Sequence, residues 1–254
     1  MPCMSTEKTT TTHFGYHDVL MDEKVHLVRG VFDSVANRYD LMNDLMSFGL
    51  HRLWKKKMIQ AASLKPGQVV LDVASGTGDV AFSLARGVSR TGRVVATDIN
   101  KTMLDQASAR VADAGVLGRV EFLEADAEHL PFPDHTFDRV TVAFGLRNMT
   151  QQSHALASMF RVLKPGGRLL ILEFSHPTQA QFKACYDWYS FHVIPRLGEM
   201  VLQDRESYQY LVESIRMHPD QETLKQMMEA EGFEEVTYQN LTGGIVALHV
   251  GAKY

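Results

Sequence analysis

Acidic residues and glycines recur where apolar runs give way to loops, and their spacing describes a binding site. Leu71-Asp72-Val73-Ala74-Ser75-Gly76-Thr77-Gly78-Asp79 is the end of one such run, followed by a helical pattern. Gly76 and Gly78 let backbone approach a ligand closely where a strand turns into a helix. Counted from Gly76, the stretch spells G-x-G-x-x-A, a form of dinucleotide turn. Counted from Asp72, it spells D-x-A-x-G-x-G, the S-adenosylmethionine loop E/D-x-G-x-G-x-G with its first glycine replaced by Ala74. Either ligand calls for an acid about 20 positions on to hold ribose hydroxyls, and Asp98 stands there.

Charge separates the two readings. A dinucleotide brings a pyrophosphate to the turn and the helix N-terminus. A carboxylate at Asp72 repels it by about 1 kcal/mol per charge pair at 4 Å in water, and by more in a site. S-adenosylmethionine brings an ammonium and a sulfonium, which Asp72 attracts. A third apolar run ends Glu124-Ala125-Asp126-Ala127-Glu128. In S-adenosylmethionine-dependent methyltransferases an acid here accepts from the adenine amino group and the next amide meets a ring nitrogen. Asp126 and Ala127 fit those roles.

These residues need strands and helices to hold them. Residues 69–73, 93–98, 120–123, 137–144 and 168–174 read as buried parallel strands, and helical patterns lie between them. The helix through Met159 and Leu163 meets a stop at Lys164-Pro165-Gly166-Gly167. Residues 103–114 and 220–230 read as further helices. Residues 236–238 and 245–250 have no helix between them and are expected to pair as an antiparallel hairpin. The sum is an α/β fold: a doubly wound, seven-strand, Rossmann-like methyltransferase sheet. A helical cap over 23–62 and an inserted lid over 175–219 are expected to cover its ligand edge. One domain spans 14–254, and residues 1–13 read as a disordered tail.

Composition narrows the partners. The net charge of −4 and the lack of an N/D-P-P-Y/F motif at Phe144–Asn148 argue against nucleic acid. Lys55-Lys56-Lys57 reads as a solvated helix face, with attraction to an anionic membrane surface as the sharper alternative. Cys3 and Cys185 have no metal or disulfide spacing and point to a reducing cytoplasm. No metal site is expected.

Several stretches closely resemble the ubiquinone/menaquinone biosynthesis C-methyltransferase (UbiE-like) family: residues 39–55, Phe144–Asn148, 161–175, and within the insertion 189–196 and 213–219. The resemblance runs from about Thr12 to the end. It implies methyl transfer from S-adenosylmethionine to a ring carbon of a polyprenylated hydroquinone. Two substrates are implied, a methoxy-polyprenyl-benzoquinol and demethylmenaquinol. The implied cofactor positions are Thr77, Asp98, Asp126, Ala127 and Ala143. Serine is frequent in the family at the last of these, so a hydroxyl contact there would be lost. The chemistry requires a site that stabilises a phenolate, because a phenol ionises only near pH 10. Arg147 is expected to stabilise it, Asn148 to orient the ring, and Tyr39 to cover the quinol. Tyr186, Trp188, Tyr189 and Phe191 are candidates to line a channel for the prenyl tail. The tail implies work at the inner membrane surface or in a biosynthetic complex; a homodimer is left open. Two competing readings are a nicotinamide-dependent oxidoreductase and a non-catalytic S-adenosylmethionine-binding component of a quinone-biosynthesis complex.

Overall fold

The computed structural model describes residues 11–35, 41, 43–44, 47–178, 192, 196 and 205–254. The chain opens with a small hairpin, β1 (Thr11–Phe14) against β2 (His17–Leu20), paired antiparallel. Thr11–His13 therefore belong to a strand and not to the tail expected over 1–13, whose first ten residues lie outside those described. Helix α1 (Met21–Val35) follows, then α2 (Leu50–Ala61). The alternating part runs β3 (Val69–Val73), α3 (Asp79–Gly87), β4 (Arg93–Asp98), α4 (Lys101–Arg110), β5 (Val120–Glu124), β6 (Phe137–Ala143), α5 (Gln152–Val162) and β7 (Leu163–Phe174). Helix α6 (Arg205–Met217) falls within the expected 175–219 insertion, and after it come α7 (Gln221–Ala230), β8 (Glu234–Leu241) and β9 (Val246–Ala252).

Seven strands form one sheet in the order β5-β4-β3-β6-β7-β9-β8. The strands from β3 to β7 pair parallel, and β9 pairs antiparallel with both β7 and β8. The expected terminal hairpin is present, closed by a short turn at Thr242–Gly244. β7 starts at Leu163 rather than 168, because the Pro165-Gly166-Gly167 stop ends α5 and the chain re-enters the sheet at once, Leu163 opposite Phe137. α4 is shorter than the 103–114 expected. Its start is fixed by Asn100, whose side chain accepts from the Met103 amide at 3.1 Å, a cap worth about 1 kcal/mol.

Strand side chains alternate between the two faces. Val70, Leu170 and Leu172 point to a cluster with Trp54, Met58 and Leu84; Leu71, Val73 and Ile171 point to one with Leu156, Met159 and Leu224. Each such aliphatic side chain, nearly or fully removed from water, contributes about 1.5–3 kcal/mol. The result is a helix-sheet-helix sandwich. Its strand order reverses around β3, whose neighbours are β4 and β6. Loops leaving β3 and β6 therefore diverge at their carboxyl ends, where ligands bind in such sheets.

Candidate functional site

The loop after β3 is built on two residues with left-handed backbone, Ala74 (φ 51°) and Gly76 (φ 56°). Gly76 adopts this freely. Ala74 does so at a cost of roughly 1–2 kcal/mol, and Phe144 (φ 58°) at the end of β6 shares the strain. The two loops touch: a Cβ on Gly145 would lie 2.5 Å from the Ala74 Cβ. Ala74 is thus accommodated by the glycine facing it. Gly78 caps α3 at φ 87°, and a Cβ there would meet Phe82 Cζ at 2.7 Å.

Ala74 also separates two cavities. The first, of about 310 Å³, is bordered by Asp98, Asp126, Ala127, Gly76, Gly145 and Asn148, with Met21, Val25, Val28 and Phe32 of α1 as its apolar wall. The second is a small recess of about 20 Å³ between Lys55, Asp72, Ser75, Thr77, Asp79 and Ala143. The sequence-predicted positions divide between them. The adenosine-type acids lie in the first, while Asp72, Thr77 and Ala143 lie in the second. Alternation explains the split, because Asp72 and Val73 leave the strand on opposite faces, and Val73 borders the first cavity.

Asp72 is 1 % exposed. Its Oδ1 accepts from the Thr141 hydroxyl at 2.6 Å, and its Oδ2 is buried with no partner. Burial pushes its pKa up to about 6, against the hydrogen bond from Thr141 and the pull of Lys55. A carboxylate oxygen without a partner beside a recess is a place that suits a cation. Lys55 does not fill it: its Nζ lies 3.5 Å from Asp79. The run Lys55-Lys56-Lys57 therefore splits, with Lys56 and Lys57 exposed as expected and Lys55 turned inward. Asp79 bonds Arg110 Nη2 at 3.0 Å as well.

In the first cavity, Asp98 does two jobs. Its Oδ2 accepts from the Gly76 amide at 2.9 Å and its Oδ1 from the Asn100 amide at 2.9 Å, so it braces the glycine loop while bordering the cavity. Enclosure raises its pKa despite those bonds. Each carboxylate oxygen keeps a lone pair for a ribose hydroxyl. Asp126 caps the short turn Ala127–His129 through the Glu128 amide at 2.9 Å, and it also borders the cavity. The residue types and their placement fit an adenosine with a cationic amino-acid arm.

Of the three residues expected to be catalytic, the two that are described, Arg147 and Asn148, do not border the same cavity. Asn148 borders the first cavity, and its Oδ1 accepts from Tyr210 at 3.0 Å, which leaves its amide nitrogen to donate. Arg147 does not border it. Arg147 is 7 % exposed, and its guanidinium pairs with Glu173 at 2.9 Å, bonds the Phe144 carbonyl and lies 5.3 Å from the Phe174 ring. Tyr39 lies outside the described residues, as do Tyr186, Trp188, Tyr189 and Phe191. Sequence reading missed Lys55, and it missed Asn100, which pins α1 over the site by donating to Asp33 at 2.9 Å. The aspartate-to-helix junction at Asp98–Lys101 carried a capping signal for Asn100. Among the described residues no group of side chains could hold a metal.

Residues 18–253 match the model of the ubiE/COQ5 methyltransferase family. A ubiquinone/menaquinone biosynthesis C-methyltransferase UbiE of Erwinia tasmaniensis is 58 % identical over 251 residues, 99 % of this chain and 100 % of that protein. The UbiE of Serratia proteamaculans is 57 % identical over the same shares. Among solved structures, a SAM-dependent methyltransferase from Aquifex aeolicus aligns with a TM-score of 0.57 at 21 % identity, covering 84 % of this chain and 96 % of the other. A putative methyltransferase complexed with the Trm112 activator of Haloferax volcanii aligns at 0.63 and 17 %, covering 87 % and 96 %. At these identities the structures speak for the fold.

Proposed function

This chain belongs to the ubiE/COQ5 methyltransferase family, and from that premise we propose how its two cavities divide the work of methylating a quinol ring. It is an S-adenosylmethionine-dependent C-methyltransferase of ubiquinone and menaquinone biosynthesis. The single observation that carries the division is the orphaned Asp72 Oδ2 in its own recess, one residue from the larger cavity.

Asp72, with Thr77 and Ala143 beside it, would hold the cationic amino-acid arm; Asp98, Asp126 and Ala127 would hold the adenosine. Bound there, S-adenosylmethionine supplies an electrophilic methyl and needs no metal to activate it. The remaining work falls to the chain. The apolar wall of α1 excludes water and faces an apolar ring. Asn148 can donate its amide hydrogens to a ring oxygen as charge develops there. Arg147 supports it from the preceding position, its charge balanced by Glu173. Its share in stabilising a phenolate then acts through the Asn148 segment rather than by touching the ring.

A polyprenyl tail is a lipid, so the enzyme meets its substrate at a membrane surface. No helix among the described residues is long and apolar enough to cross a membrane. Phe48 and Leu53 are 75 % and 60 % exposed, beside Arg52, Lys56 and Lys57 on α2. That mixture of apolar and basic groups supports peripheral binding to anionic lipid. Flotation with anionic vesicles tests it: recovery with neutral and anionic vesicles alike, or with neither, counts against the basic face. The reaction itself is tested by profiling quinones in a deletion strain with and without this chain. Restoration of the ring methyl is expected; persistent demethylated quinone with the protein present would refute it.

A further inference from the structure

The backbone around Asn148 is pinned from several sides. Its amide closes a turn onto the Gly145 carbonyl at 3.1 Å. The next two carbonyls each take a side chain from another element. Lys24 Nζ of α1 donates to Met149 O at 2.9 Å, and the Thr12 hydroxyl of β1 donates to Thr150 O at 3.3 Å. Arg147, on the other side, is tied to Glu173. The backbone is therefore set, but the side chain still has a choice. The terminal torsion of an asparagine is broad and roughly two-fold, so one rotamer can present either its acceptor or its donor to the first cavity. Only the donor suits a ring oxygen on which negative charge develops.

One contact makes this choice. Tyr210 of α6 places its hydroxyl 3.0 Å from Asn148 Oδ1. Tyr210 is 4 % exposed, and among the described residues its hydroxyl makes no other hydrogen bond. If the amide turned over, the hydroxyl would meet Nδ2 and its own hydrogen would be left buried without an acceptor, which carries the full desolvation penalty of a donor. Burial pushes the Tyr210 pKa above the ordinary range of a phenol, against the pull of Arg147 and with the help of Glu173. The hydroxyl thus keeps its proton at working pH and acts as a donor rather than a base. Asn148 Nδ2 has no partner among the described residues, and Asn148 borders the first cavity.

The tyrosine is itself held. Its ring stacks on Phe14 of β1, with centroids 4.1 Å and planes 16° apart. Leu211, Val212 and Ile215 sink the same helix into the core cluster of Trp54 and Leu170. Glu213 accepts from the Tyr16 amide at 3.1 Å and ties the helix to the hairpin.

We propose that Tyr210 is a positioning residue for methyl transfer: its hydroxyl holds the Asn148 amide with the oxygen toward α6 and the hydrogens available to the quinol oxygen. This role rests on Asn148 being that donor. It gives the expected insertion over 175–219, to which α6 belongs, a part in the chemistry.

The test measures kcat and KM for a demethylated prenyl quinol at saturating S-adenosylmethionine in four full-length proteins: wild type, Tyr210→Phe, Asn148→Ala and the double variant. Tyr210→Phe keeps the ring and its stack on Phe14 and removes only the hydroxyl. It should lower kcat about fivefold, in the range of one neutral hydrogen bond, with KM and S-adenosylhomocysteine affinity unchanged. In the Asn148→Ala background it should have no further effect, because the amide it orients is gone. A merely structural role would cut kcat by the same factor in both backgrounds. Phe14→Leu leaves the hydroxyl in place and loosens the ring. It should lower kcat in the same sense, again only with Asn148 present, which keeps the test open if Tyr210→Phe does not fold. Equal losses in both backgrounds, a loss confined to KM, or no loss would overturn the proposal while leaving the role of Asn148 intact. Wild-type kcat in Asn148→Ala would overturn both. A pH profile that loses its rising limb in Tyr210→Phe would make the tyrosine a base and overturn the positioning role.

Discussion

Replacing Asp72 by Asn is expected to remove a stability cost and a cofactor anchor together. The buried carboxyl has its pKa raised from an ordinary 3.8 to about 6. A rise of this kind means the folded state holds the proton that the unfolded state releases. Stability from this group is therefore full below about pH 4 and is lost as pH rises through about 6. The loss amounts to about 3 kcal/mol at neutral pH, since each pKa step is worth 1.36 kcal/mol. The residue is 1 % exposed, so solvent screening does not reduce it. Asn cannot ionise. Its amide would leave donors in the recess at a cost of about 1–3 kcal/mol, but that cost does not vary with pH. Urea denaturation of the ligand-free protein should thus give a variant-minus-wild-type difference that climbs by about 2 kcal/mol between about pH 4 and pH 6.5. S-adenosylhomocysteine affinity should move the other way, with wild type binding more tightly at neutral pH and losing that advantage toward pH 5. A stability difference that stays flat across this range would refute the buried, uncompensated carboxylate, whatever happens to binding.

Further predictions follow from the same contacts. Gly145→Ala places a Cβ 2.5 Å from that of Ala74 and should abolish S-adenosylhomocysteine binding; adding Ala74→Gly removes the clash and should restore most of it, and a double variant no better than the single one would disprove the facing-loop account. Glu173→Gln leaves Arg147 buried without its counter-charge and should cost about 3–5 kcal/mol by chemical denaturation. Asn148→Ala should lower kcat for the quinol by about 10²–10³ with S-adenosylhomocysteine affinity unchanged; a loss confined to KM would make Asn148 a binding residue only.

The sheet was legible because parallel strands buried on both faces read as short apolar runs, and the Lys164–Gly167 stop punctuated them. The N-terminal hairpin was not legible: Thr11–Leu20 is polar, and its order comes from distant partners, Phe14 on Tyr210 and Tyr16 N on Glu213. Asp98, Asp126 and Ala127 could be placed from spacing because each closes a strand at the same edge. Asp72 also closes its strand, but pleating sends it to the other face, into a recess with Lys55. A charge run in sequence says nothing of which lysine turns inward. Arg147 illustrates the same limit. Its position beside Asn148 was readable, whereas its commitment to Glu173, 26 residues away on β7, depends on strand pairing.

The most direct measurement is single-turnover methyl transfer by the purified protein. Methyl-labelled S-adenosylmethionine is mixed with a reduced demethylated prenyl quinol, and mass spectrometry locates the label. One labelled methyl on a ring carbon is expected, formed by wild type and suppressed in Asn148→Ala. Label on a ring oxygen, or no transfer by a protein that binds S-adenosylhomocysteine normally, would contradict it.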